Sequence, residues 1–191
     1  MSGEVLKKKV EETLEMTADE LKDALPRTLD EIRRYGIEET LEVAPDLLSR
    51  VLAKLLAADA AKLLSDVPEV SDKLMDLLWE GVGTRAAKSG ELRSALGRTS
   101  REIQVNIEAS DSPLRGHFRV SQGNLSGGSG LVHFKEEDYR YMGPTEILLQ
   151  LLTGELPSGF SNLRLQTAGH SGWVRLLAPI MRGIAKTIKG K

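Results

Sequence analysis

Three histidines, one glycine-rich run and one acidic triplet are the groups of this chain whose type or spacing suits chemistry. His117, His133 and His170 have no Gly-x-Ser-x-Gly elbow beside them, so the nucleophile–base arrangement of a hydrolase is not indicated. His117 and His133 fall in strand-like stretches and read as surface or pocket-rim residues. His170 lies in a Gly-bounded turn, where it suits a turn position or a polar ligand contact. The histidines are far apart and lack His-x-x-x-His spacing, so they make no metal set. Glu136, Glu137 and Asp138 are adjacent; in an extended chain they point to alternating faces and read as a solvated loop, not a metal cup. The run Gly123-Asn-Leu-Ser-Gly-Gly-Ser-Gly130 looks superficially like a phosphate loop. Such a loop opens a helix, whereas Leu131-Val-His-Phe134 continues as a strand, so a hairpin or bulge is expected instead. Cysteine is absent, which removes thiol catalysis, disulfides and cysteine-ligated metal. The expectation is no catalytic set, no metal and no cofactor.

The elements that would position any site divide near residue 100. Of 191 residues in all, positions 1–98 carry 15 basic and 20 acidic residues, and the rest carry 11 and 8. An overall charge of -2 thus conceals an acidic half and a basic half, and gives no general attraction to nucleic acid. Two thirds of the 18 glycines lie in the second half. Six of the eight aromatic residues fall between Phe118 and Trp173, which places a core or pocket there.

The first half reads as helices. Val5, Val10 and Leu14 suit a short amphipathic helix, Thr17 with Glu20 is a capping box, Pro26 suits a helix start, and Gly36 suits a stop. From Pro45 to Leu64, leucines recur at three- and four-residue spacing, as core or helix–helix interface, with a dimer contact as the alternative. Pro68 opens a further helix, and Ser89–Leu96 forms another. The second half alternates. Ile103, Val105 and Ile107 mark a strand with one buried face; Phe118 and Val120 mark a second. Gly123-Asn124 reads as a hairpin turn, and Leu131–Phe134, Asp138–Met142 and Leu163–Leu165 as further strands. Ile147–Leu152 forms a helix ended by Gly154. The final helix, Gly172–Lys189, has Trp173, Leu177, Ile180, Ile184 and Ile188 on one side, basic residues on much of the rest, and Pro179 predicting a kink or late start. Helices, a strand meander, a helix, a strand and a helix make an α+β fold.

Within this order, Ser89-Gly-Glu-Leu and Arg101-Glu-Ile-Gln-Val-Asn-Ile-Glu108 resemble the opening helix and first strand of the sterol carrier protein 2 (SCP2-like) domains. Thr145-Glu-Ile-Leu-Leu-Gln-Leu-Leu-Thr-Gly-Glu-Leu-Pro157 and Phe160-Ser-Asn-Leu-Arg-Leu165 resemble that family's leucine-rich helix, its Leu-Thr-Gly-x-Leu turn and its following strand. The resemblance covers roughly residues 70–188. It implies a sheet of about five strands flanked by helices, with an apolar tunnel for fatty acyl, sterol-like or isoprenoid lipids. On this reading residues 1–66 are a helical extension and 67–191 a lipid-binding domain. The site residues expected are Phe118, Tyr139, Leu148, Leu152, Phe160, Trp173, Leu177 and Ile180, with Tyr139 offering a hydrogen bond to a head group.

The protein is therefore expected to bind or transfer lipid without enzymatic activity, and to touch anionic membrane surfaces transiently through its basic last helix. The alternative is an interaction module that uses the extension for dimerisation or docking. Two features depart from the family. Gly169 is followed by His170 instead of an acidic residue, and the C-terminus lacks a Ser-Lys-Leu address. The latter, with an N-terminus that has no apolar signal core, gives a cytoplasmic expectation.

Overall fold

Nearly every leucine of the first half has a place in one continuous apolar core that runs from Leu6 to Ile188. A computed structural model describes residues 2–135, 138–156, 164–169 and 172–190. It has an α+β fold, with an all-helical N-terminal region followed by a five-stranded mixed sheet and its covering helices.

The helical region begins with α1 (Gly3–Glu15), which buries Leu6 and Val10; Val5 faces outward at 56% exposure. Next, α2 (Ala18–Tyr35) starts at Thr17, whose side chain forms the expected capping box with Glu20. Pro26 does not open a helix. It lies inside α2, because Leu21, Leu25, Leu29 and Ile32 bury as one stripe that carries the helix past the missing N–H. Gly36 ends α2 at φ 107° and leads directly into α3 (Ile37–Val43). The leucine-rich stretch is two helices, α4 (Leu47–Ala57) and α5 (Ala60–Asp66), and not one. Asp59 sits between them at φ 56°, a left-handed conformation that aspartate tolerates better than most residues. This break lets Leu63 and Leu64 bury independently of the α4 stripe. The leucines of α4 and α5 are thus covered by the chain itself, against helices of the second half.

Next come α6 (Glu69–Ala86), opened at Pro68, and α7 (Gly90–Gly97), capped by Ser89. Arg85 of α6 ties three elements together. Its guanidinium donates to the carbonyl oxygens of Leu41 at 2.8 Å, Pro45 at 2.7 Å and Thr187 at 3.5 Å. The three carbonyls belong to the last turn of α3, the link before α4 and the C-terminal helix, so one side chain joins them.

The sheet contains β1 (Ile103–Ala109), β2 (Arg115–Ser121), β3 (Asn124–Ser129), β4 (Tyr139–Gly143) and β5 (Gln166–Gly169), in the order β3-β2-β1-β4-β5. Only the β1–β4 pair is parallel. The β2–β3 hairpin turns on Gln122 and Gly123, at φ 51° and 78°, one residue earlier than expected. Both dihedrals belong to a type I′ turn, the form that matches strand twist. The glycine-rich run is thus strand β3, not a ligand loop. Leu131–Phe134 is not a strand, since β1 already has β2 and β4 on its two edges. This segment instead closes over the polar face, where Asn106 exchanges two hydrogen bonds with Val132, at 2.9 and 3.1 Å. The last strand begins at Gln166, beyond Leu165; Leu163 lies outside the described residues.

Two helices complete the fold: α8 (Thr145–Thr153), stopped by Gly154 at φ 68°, and α9 (Trp173–Ile188). Pro179 lies inside α9, so the helix starts early at Trp173. Pro144 supplies no cap for α8. Asp111, from the β1–β2 turn, does so instead and accepts from the Thr145 backbone N–H at 2.8 Å and from its hydroxyl at 2.6 Å.

Candidate functional site

The helix-facing side of the sheet is filled unevenly. Strand register sets Gly127, Phe118, Val105, Tyr139 and Gly169 in one row, and Gly116, Ile107, Tyr141 and Thr167 in the next. At the β2–β3 end, α6 lies close. A Cβ on Gly116 would meet Met75 at 2.1 Å, and one on Gly127 would meet Trp79 at 2.8 Å. Trp79 and Phe118 stack there, with ring centroids 4.9 Å apart. At the β4–β5 end the strands offer two tyrosines and then only Thr167 and Gly169, and no helix seats as tightly.

A pocket of about 610 Å³ opens at that end, within the roughly 300–1,000 Å³ span of small-molecule sites. Tyr139 and Tyr141 come from β4, Leu151 from α8, Gly154 and Leu156 from its exit, Leu165 from just before β5, Thr167 from β5, and Val174, Ala178, Met181 and Arg182 from α9. The buried side chains of Tyr139, Tyr141, Leu151 and Met181 form the inner wall, and the exposed Thr167, Val174, Ala178 and Arg182 form the rim. The tyrosine rings meet edge-on with centroids 5.1 Å apart. Burial, helped by the adjacent Tyr139, pushes the Tyr141 phenol well above its ordinary range, so it stays a neutral hydrogen-bond donor.

Of the eight expected site residues, the structure brings Tyr139 to this pocket. Phe118 is wholly buried against Trp79, away from it. Leu148, Leu152, Leu177 and Ile180 are buried at no more than 1% exposure and belong to the core. Trp173 is partly buried and packs against that core. Phe160 lies outside the described residues. In α9 the most apolar stripe, Leu177–Ile180–Ile184–Ile188, is core, and the pocket faces the neighbouring stripe Val174–Ala178–Met181–Arg182. Its four- and three-residue spacing is visible in the sequence, but a mixed apolar and basic face reads as solvated.

Comparison of the chain with protein-family models, curated proteins and solved structures finds no match.

The groups first considered for chemistry lie elsewhere. The Nδ1 of His117 meets the Gly130 carbonyl at 3.1 Å, and the His133 carbonyl accepts from Gln104 at 2.8 Å. Both act as structural contacts on or near the polar face of the sheet. Asp138 is buried and accepts from the Lys135 N–H at 2.8 Å and the Gln104 amide at 3.0 Å, so it braces a turn instead of facing solvent. His170, Glu136 and Glu137 lie outside the described residues. Among the described residues no three histidine or carboxylate side chains gather in a way that could hold a metal ion. No helix among them is long and apolar enough to cross a membrane.

Proposed function

We propose that the protein binds or transfers lipid in the pocket between the β4–β5 end of the sheet and helices α8 and α9, without catalysing a reaction. The observation that carries this reading is a pocket of about 610 Å³ walled by leucines, methionine, valine and two tyrosine rings. Each methylene moved from water into such a lining contributes about 0.8 kcal/mol, so a single acyl or isoprenoid chain gains more there than a compact polar metabolite. The polar groups on the described lining are two phenols, a threonine hydroxyl and a guanidinium, with no histidine or carboxylate to serve as a general base. The resemblance of the second half to SCP2-like domains points to the same ligand class. Val174, 53% exposed at the rim and on the basic last helix, suits brief contact with a membrane surface during loading.

Native mass spectrometry of the purified protein, followed by lipid extraction, tests the reading. Expected are an adduct of lipid mass and micromolar binding of a fluorescent single-chain lipid. If no lipid co-purifies and no such probe binds, the proposal fails.

A further inference from the structure

Arg182 is the one charged side chain among the described residues that line the pocket, and it stands on the rim of a largely apolar cavity. Two nearby cations are already paired: Lys186 of the same helix with Glu91, and Lys189, just past its end, with Glu155 at 3.2 Å. Among the described residues no carboxylate approaches Arg182 and none lines the pocket. The cavity therefore combines an apolar interior with a guanidinium that no described carboxylate pairs at its mouth, and the hydroxyl of Thr167 shares that rim. A guanidinium presents several N–H donors in a planar fork that fits two oxygens of a carboxylate or phosphate at once. A neutral alcohol or a hydrocarbon end makes no such contact.

We infer that Arg182 makes the pocket selective for single-chain amphiphiles with an anionic head group over neutral ones of the same chain length. This rests on the lipid-binding reading and names the ligand that reading left open. The chain lies against Tyr139, Leu151 and Met181, and its head group sits at the rim on Arg182. Hydrogen bonds to charged groups contribute enough for removal of the guanidinium to lower affinity about tenfold.

The test is displacement of Nile red, a neutral probe, by dodecanoate, dodecyl phosphate and dodecanol from the unaltered protein, from Arg182→Gln, and from Arg175→Gln. Arg175 is exposed on the same helix and does not line the pocket, so it controls for general charge. The expected result is a loss of about tenfold for at least one anion in Arg182→Gln, with dodecanol and Arg175→Gln unchanged; the anion with the larger loss names the head group. Three outcomes overturn the inference but leave the pocket intact: no loss for either anion, an equal loss of dodecanol, or the same loss in Arg175→Gln. Failure of all three ligands to displace the probe from the unaltered protein overturns the lipid reading as well.

Discussion

Asp111 and Tyr141 show how single side chains set the frame of the pocket. Asp111 caps a helix that begins 34 residues later, through the Thr145 N–H and hydroxyl. Replacing it with alanine leaves both groups without that acceptor and is expected to cost about 1 kcal/mol, read as a lower midpoint in urea denaturation. Tyr141 carries a pH prediction. Its folded-state value lies above the ordinary 10.0, so folding favours the neutral phenol. The stability this contributes is complete below pH 10.0 and is lost as the pH rises past it, because the unfolded chain ionises first. Tyr141→Phe is therefore expected to lose less stability than the unaltered protein between about pH 9 and 11; equal losses would contradict the assignment. Tyr139 is legible as a pocket-lining candidate because an aromatic ring with a polar tip stands out in a strand. Arg182 was not, since a basic residue on an amphipathic helix looks solvated until the cavity beside it is seen.

Elements were legible where local chemistry decides them. The Thr17–Glu20 box, the Gly36 and Gly154 stops and the alternation of β1 all appear where the sequence places them. Tertiary packing overrides the local signal at three places. Pro26 is held within α2 by the buried stripe around it, and Asp59 divides a leucine run whose periodicity looks unbroken. Leu131–Phe134 has strand composition but lies beside β1, whose two edges β2 and β4 already fill, and Val132 exchanges hydrogen bonds with the Asn106 side chain. The close seat of α6 on the β2–β3 hairpin gives a prediction at this scale. Gly127→Val would drive a branched side chain into Trp79 and the His117 carbonyl, which lies 2.4 Å from an added Cβ. Overpacking of this kind costs about 1–3 kcal/mol, measurable by thermal or denaturant unfolding. Gly123→Ala, where nothing lies within 4 Å of the added Cβ, would cost only its left-handed φ of 78°.

Across the whole molecule, the acidic first half and basic second half are not separate in packing. Leucines of α1 to α5 and the hydrophobic faces of α6, α8 and α9 form one cluster, and the Arg85 guanidinium spans from Leu41 to Thr187. Far-UV circular dichroism and tryptophan fluorescence are therefore expected to report a single coincident unfolding transition. Residues 67–191 alone would expose the buried faces of α6 and α8 and bind a hydrophobic dye; a soluble, cooperatively folding fragment that binds none would contradict this. The α+β class is readable from the order of helical and alternating segments, with the glycine content rising near residue 100. The pocket's position was not, because it depends on how far α6, α8 and α9 stand from the two ends of the sheet. Filling the pocket shows whether lipid is held there. Ala178 is exposed on α9 and lines the rim, so Ala178→Trp adds bulk to the pocket without disturbing the core. In a titration with a fluorescent single-chain lipid, the unaltered protein should bind at micromolar levels and Ala178→Trp should bind at least tenfold more weakly, with unchanged circular dichroism. Equal binding by the two proteins would place the lipid elsewhere and contradict the account.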